Sequence, residues 1–179
     1  LLICFVVAAA VLNVVMWLMR GGNTAWQASQ PDWAIYLALI LITSPLQAAA
    51  EEFFFRGYLQ QAIGSLAGRA WVGVACSSLV FAIFHGDQNV ALFAHRLGFG
   101  LIAGTLVWAT GGLEAAIAVH VANNVFAFGY ALFTGGVATL KATSAISWEA
   151  ACSDLASFAV FGALAWWIGR RMHVATLTP

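Results

Sequence analysis

The sequence predicts an all-α fold, a polytopic transmembrane helical bundle of about six spans, and three observations carry that prediction. Of the 179 residues, 63% are hydrophobic and 8% charged, whereas a soluble domain is about half apolar and about 25% charged. Apolar runs close to the roughly 20 residues that a bilayer requires succeed one another, separated by glycine or polar punctuation. Inside those runs polar residues recur at a spacing of four, the repeat of one helix face: Glu52 with Arg56, and His120 with Asn124.

The first run covers residues 1–20 and ends at Arg20-Gly21-Gly22. The chain opens at Leu1 inside this run and reads as lacking its natural start; Arg20-Gly21-Gly22-Asn23 supplies no small-residue cleavage site for a signal peptide. A polar loop through Pro31-Asp32 leads to a second helix, Trp33 to about Ile63, longer than a bilayer needs. Ser44-Pro45 predicts a kink in it, because proline removes a hydrogen bond and clashes with the preceding turn. The third helix runs from Arg69 to His85. After the turn Gly86-Asp87-Gln88-Asn89, the fourth ends at Thr110-Gly111-Gly112. The fifth begins at Leu113-Glu114, where a carboxylate favours the helix dipole, and ends near Gly135-Gly136. A polar loop with Lys141 and Glu149 precedes the sixth, from about Ala151 to Arg170-Arg171; the tail to Pro179 reads as short and loose. Residues 1–179 read as one domain, with no linker left for a second.

Charge narrows the partners. Seven basic residues balance seven acidic ones, which gives no electrostatic case for nucleic acid. Arg69, Arg170 and Arg171 fall on one side of the bundle and outnumber Arg20 and Lys141 on the other. The positive-inside rule therefore predicts a multi-pass protein of the plasma membrane with both termini cytoplasmic. Cys4, Cys76 and Cys152 are odd in number and widely spaced, which supports neither a disulfide nor a thiolate zinc site; buried, inert thiols are expected. Trp26, Trp33, Trp71, Trp148, Trp166 and Trp167 lie near helix ends, as in an interfacial aromatic belt.

Against that background Glu51-Glu52-Phe53-Phe54-Phe55-Arg56 stands out, because ionisable groups at membrane depth are costly and usually functional. Glu52 and Arg56 share a face and can neutralise each other, while Glu51 points about 100° away and is left for chemistry. The bland reading is that both glutamates glue helices together. Phe81 and His85 share a face, as do His120 and Asn124; a lone intramembrane histidine is more often an interhelical hydrogen-bonding group than a catalyst. Depth favours the sharper reading. From the predicted cytoplasmic ends Glu51, His85, His120 and Asn124 lie roughly 18, 22, 10 and 16 Å in, at about 1.5 Å per residue. Three helices thus place polar groups in one layer, and a shared cavity reached from the cytoplasmic face is expected. Ser77 and Ser78 lack a paired base for nucleophilic work, His95-Arg96 reads as structural pairing or snorkelling, and Asn123 as a bond to a neighbouring helix.

Glu51-Glu52-x-x-x-Arg56, Phe81-x-x-x-His85 and His120-x-x-x-Asn124 resemble the three motifs of the CPBP family of CAAX proteases and bacteriocin-processing enzymes, also called abortive-infection proteins. The resemblance covers about residues 33–130 and implies a family core of about eight helices. It further implies an intramembrane endopeptidase without a cofactor. In that scheme Glu51 is the general base acting on water with His85, His120 and Asn124 form the oxyanion hole, and Glu52 with Arg56 supports the site. The substrate implied is a peptide or protein, lipid-modified or membrane-bound. Three rivals stand beside it. A zinc peptidase would use Glu51, His85 and His120 as ligands, although no H-E-x-x-H helix is present. A transporter or proton relay would use the same buried groups, but no inverted repeat is visible. A non-catalytic membrane binding or immunity protein would keep the cavity without turnover.

Overall fold

The computed structural model describes residues 31–134 and 136–173, together with four helical positions of the first run, Val11, Val14, Val15 and Leu18. The rest of the predicted first helix, Arg20, Trp26, Cys4 and the tail after His173 lie outside the described residues. Within them the fold is all helical. The long second helix is α1 (Trp33–Glu52), continued by a π-helical turn (Phe53–Leu59) and α2 (Gln60–Ala67). There follow α3 (Ala70–Ile83), α4 (Val90–Thr110), α5 (Glu114–Thr134), the short α6 (Val137–Lys141) and α7 (Trp148–Arg171). The span Trp33–Ala67, α4, α5 and α7 are each long and apolar enough to cross a membrane, and α3 is a shorter apolar helix.

Punctuation residues set the boundaries. Gly68 ends α2 in the left-handed region (φ 63°), its N–H bonding the Gly64 and Ser65 carbonyls, a conformation that glycine adopts without a Cβ penalty. Asn89 caps α4 by accepting from the Leu92 N–H and also fastens the α6–α7 loop, donating to the Ile146 carbonyl at 2.9 Å. Ser147 caps α7 through the Ala150 N–H. Acidic Glu114 opens α5 as expected.

α1 packs on α5, α3 lies between α2 and α4, and α4 packs on α7. Small residues permit the close approaches, which lipid-embedded helices need because no hydrophobic effect drives them together. A Cβ placed on Gly73 of α3 would fall on the Gln60 carbonyl oxygen and come within 2.9 Å of the Gly64 nitrogen; one on Gly100 of α4 would lie 2.9 Å from Ser78 Cβ. Phe55, Phe81, Phe99 and Phe158 fill the centre, with the edge of Phe55 against Phe81 at 5.2 Å between centroids.

Several expectations need correction. The second helix continues past Ile63 to Ala67, and the loop after α5 contains α6. α7 starts at Trp148, three residues earlier than expected, because Ser147 supplies the cap. α3 ends at Ile83, so His85 sits in the turn beyond it. Cys76 and Cys152 are exposed, facing outward from the bundle instead of into it.

The Gly73 contact gives a direct test. Gly73→Val meets backbone that cannot swing aside, so it is expected to destabilise the protein by about 1–3 kcal/mol or more, read as a lowered unfolding temperature in detergent.

Candidate active site

The two glutamates close α1, and the π-turn after them carries Arg56. Glu52 and Arg56 are both 0% exposed, and Arg56 Nη1 donates to Glu52 Oε1 at 2.9 Å. Desolvating two charges costs several kcal/mol per ion, so further contacts must offset it. The Arg56 guanidinium lies 4.4 Å from the Phe81 ring centroid, with Phe99 at 5.7 Å and Phe55 at 5.9 Å, a cation–π environment on three rings. The π-turn is closed by its own bond from the Gln60 N–H to the Phe55 carbonyl, and a tertiary bond holds it, Ser77 Oγ donating to the same carbonyl at 2.6 Å. Gln60 Nε2 in turn donates to the Gly104 carbonyl at 3.0 Å. Ser77 is thus a structural anchor of the segment that bears the ion pair.

His120, 5% exposed, joins the same carboxylate: its Nδ1 lies 2.7 Å from Glu52 Oε1. An ionised carboxylate only accepts, so Nδ1 carries the proton. This fixes the ring and turns Nε2 toward Glu51 Oε2, at 3.7 Å. Glu51 differs from its neighbour in being 24% exposed, with Oε1 accepting from Gln47 Nε2 at 2.9 Å. The expected division between the two glutamates, one paired with Arg56 and one open, matches this geometry. The bond from Glu52 to His120 and the one from Gln47 to Glu51 are additions to it. Gln47 was detectable as a polar residue one turn before Glu51.

Glu51, His85, His120 and Asn124 line one cavity of about 420 Å³, with Asn123, His95, Arg96 and Lys141 also in its wall. Glu52 and Arg56 lie behind it. The cavity occupies the half of the bundle near the turn 84–89 and α6, whereas Arg69, Arg170 and Arg171 mark the opposite end. Arg96 and Lys141 put part of its wall at the end opposite those arginines, which the expected approach from the arginine side does not match. Asn123 bonds Asn124 on its own helix instead of a neighbouring one, Nδ2 donating to Oδ1 at 3.3 Å. His95 pairs across helices, 3.5 Å from Asp154 Oδ2, while also lining the cavity. Among the described residues no three His, Cys, Asp or Glu side chains are grouped to hold a metal ion.

His85 stacks edge-on to Phe81 at 4.5 Å, and its Nδ1 lies 2.7 Å from the Phe81 carbonyl oxygen. A carbonyl only accepts, so Nδ1 carries the proton and Nε2 the lone pair. Desolvation, helped by Arg96 and His120, holds the imidazole pKa below its ordinary value, against the opposing pull of the Phe81 carbonyl and Glu51.

A family model described as Type II CAAX prenyl endopeptidase Rce1-like matches residues 32–126. The chain belongs to this family. The matched interval contains Glu51, Glu52, Arg56, His85, His120 and Asn124, and it nearly coincides with the core expected at 33–130. Over 107 residues the chain is 35% identical to the uncharacterized protein YyaK of Bacillus subtilis (strain 168), covering 56% of this chain and 35% of YyaK. The chain thus spans about a third of the length of that relative. No solved structure matches.

Two outcomes follow from the geometry. Arg56→Ala strands a buried carboxylate and is expected to cost about 3–5 kcal/mol; Glu52→Gln should destabilise in the same direction, both read by thermal unfolding. His85 should titrate below its ordinary pKa of about 6.5 in NMR spectra. With the folded value depressed, its contribution to stability is present above pH ~6.5 and is lost as pH falls through the folded pKa.

Proposed function

We propose that this member of the Rce1-like family is a glutamate-type intramembrane endopeptidase whose substrate is a peptide or protein, membrane-bound or lipid-modified. The observation that carries the reading is the arrangement of Glu51: an accessible carboxylate in a polar cavity, beside a histidine whose far side is fixed by a buried ion pair. Glu51 takes a proton from water, with His85 Nε2 sharing in its polarisation, and the resulting hydroxide adds to the scissile carbonyl. The carbonyl oxygen becomes an oxyanion, stabilised by the Asn124 amide and by His120. Donation from His120 Nε2 while Nδ1 bonds Glu52 requires both ring nitrogens to be protonated. The tetrahedral intermediate collapses with cleavage of the C–N bond, and the proton held by Glu51 passes to the leaving amine.

Glu51→Gln keeps the shape and removes the base, so it should abolish cleavage of a prenylated CAAX peptide without loss of fold. Full activity in that variant would end the proposal. His120→Ala and Asn124→Ala should each lower kcat by about 100- to 1000-fold. The zinc reading makes another demand: metal analysis would find stoichiometric zinc that falls in His85→Ala and His120→Ala together with activity, and chelators would inhibit.

Charge bias supports an orientation with the termini and the Arg69, Arg170 and Arg171 end in the cytoplasm. On that orientation the cavity receives substrate from the outer face. Asp87→Cys should then react with an impermeant maleimide added outside intact cells; labelling from the cytoplasmic side alone would invert the topology.

A further inference from the structure

His85 is presented by a turn, since α3 ends at Ile83 and α4 begins at Val90. Outside a helix, a side chain keeps its aim only through the bonds its own segment makes. Beside the backbone bonds from the His85 N–H to the Ala82 carbonyl and from the Asn89 N–H to the Ser144 carbonyl, two side chains make them here. Gln88 Nε2 reaches back to the Ala82 carbonyl at 2.7 Å, tying the turn to the end of α3. Gln88 Oε1 accepts from Arg96 Nη1 at 2.7 Å, and the same Nη1 lies 3.3 Å from the His85 carbonyl oxygen. Arg96 belongs to α4, so one guanidinium nitrogen connects α4 to the backbone of His85 and, through Gln88, to α3. These hydrogen-bond partners are neutral amide oxygens arranged about the turn, a use of arginine that membrane snorkelling does not explain.

We propose that Arg96 and Gln88 are positioning residues for His85: together they clamp the turn 84–89 between α3 and α4. The Nδ1–H of His85 is thereby kept on the Phe81 carbonyl, with the Nε2 lone pair available for a reacting water. The inference rests on the role proposed for His85 above. Neither residue touches the reacting atoms; both act through the backbone that carries the imidazole. Small misplacements of a reacting group cost up to about 100-fold in rate, which gives such a clamp a kinetic signature.

The test uses the full chain in detergent, with ¹⁵N-labelled histidine and a quenched-fluorescent prenylated CAAX peptide as probe. Arg96→Met and Gln88→Met should each convert His85 from a single Nδ1–H tautomer to a mixture, visible in the ring ¹⁵N shifts. Each should lower kcat by about 10- to 100-fold with KM changed by less than about twofold. The double variant should be no worse than the single ones, because the two residues form one clamp. Arg96→Lys retains a donor and should restore both the tautomer and most of the rate; it also keeps the test open if the methionine variants fail to fold. An unchanged His85 tautomer in the methionine variants, or a loss in KM alone, would overturn the proposal. The NMR readout needs no turnover, so failure of the proposed hydrolysis and failure of this clamp are distinguishable.

Discussion

Everything at the centre of this bundle depends on one carboxylate oxygen. Glu52 Oε1 accepts from Arg56 and bonds His120, so a single buried atom neutralises a cation and orients an imidazole. Without Arg56 the Glu52 charge would be stranded in an apolar core; without Glu52 the arginine would be stranded instead. The aromatic residues around the guanidinium are part of the same solution. Phe81 and Phe99 face Arg56 and also edge the His120 ring, at 6.0 and 5.0 Å. Core packing and the aim of a polar side chain are therefore settled by the same rings.

That arrangement separates two adjacent residues into different environments. Glu52 is sealed, and its Oε1 is committed to bonds with neighbouring side chains. Glu51, one position earlier, opens to the cavity with Gln47 and His120 beside it. Helical rotation alone produces the division, since consecutive side chains diverge by about 100°. The rigid elements supply the fixed side of the cavity, whereas His85 comes from a connecting turn tied down by side chains. A polar site in a membrane protein is thus assembled from two kinds of support, helix packing for Glu51 and His120 and a hydrogen-bonded loop for His85.

Much of this was legible in the sequence, for identifiable reasons. Asn89 and Gly111 punctuate the helices through conformational and capping preferences that act locally. The Glu52–Arg56 pair follows from spacing along one helix. What escaped was mostly non-local. The bond between His120 and Glu52 spans 68 positions, and no periodicity announces it. The π-turn has no residue signature either; Ser77, whose hydroxyl donates to the Phe55 carbonyl, belongs to another helix that only folding brings near. The outward-facing Cys76 and Cys152 were misjudged because an apolar helix in a bilayer can turn such residues to lipid as readily as to the interior. The end of the bundle at which the cavity lies was not legible either, because packing that no charge pattern encodes brings Arg96 and Lys141 to its wall.

The π-turn at Phe53–Leu59 has a consequence for how this chain tolerates length changes. A π-turn holds about one residue more than the α-turn it replaces, so it behaves as an insertion accommodated inside a continuous helix. Deleting that extra residue would let the backbone return to regular helix with the faces on either side nearly in phase, whereas deleting one from α1 ahead of Glu51 would rotate the two sides by about 100°. Hydropathy and span length would hardly change, and the chain would still suit a bilayer. After a deletion in α1, however, Glu51 and Glu52 would no longer hold their present place relative to the face of α1 that packs on α5. Insertion into the membrane and assembly of the site therefore answer to different features of the same helix, and a frame-preserving deletion of a single codon is enough to part them.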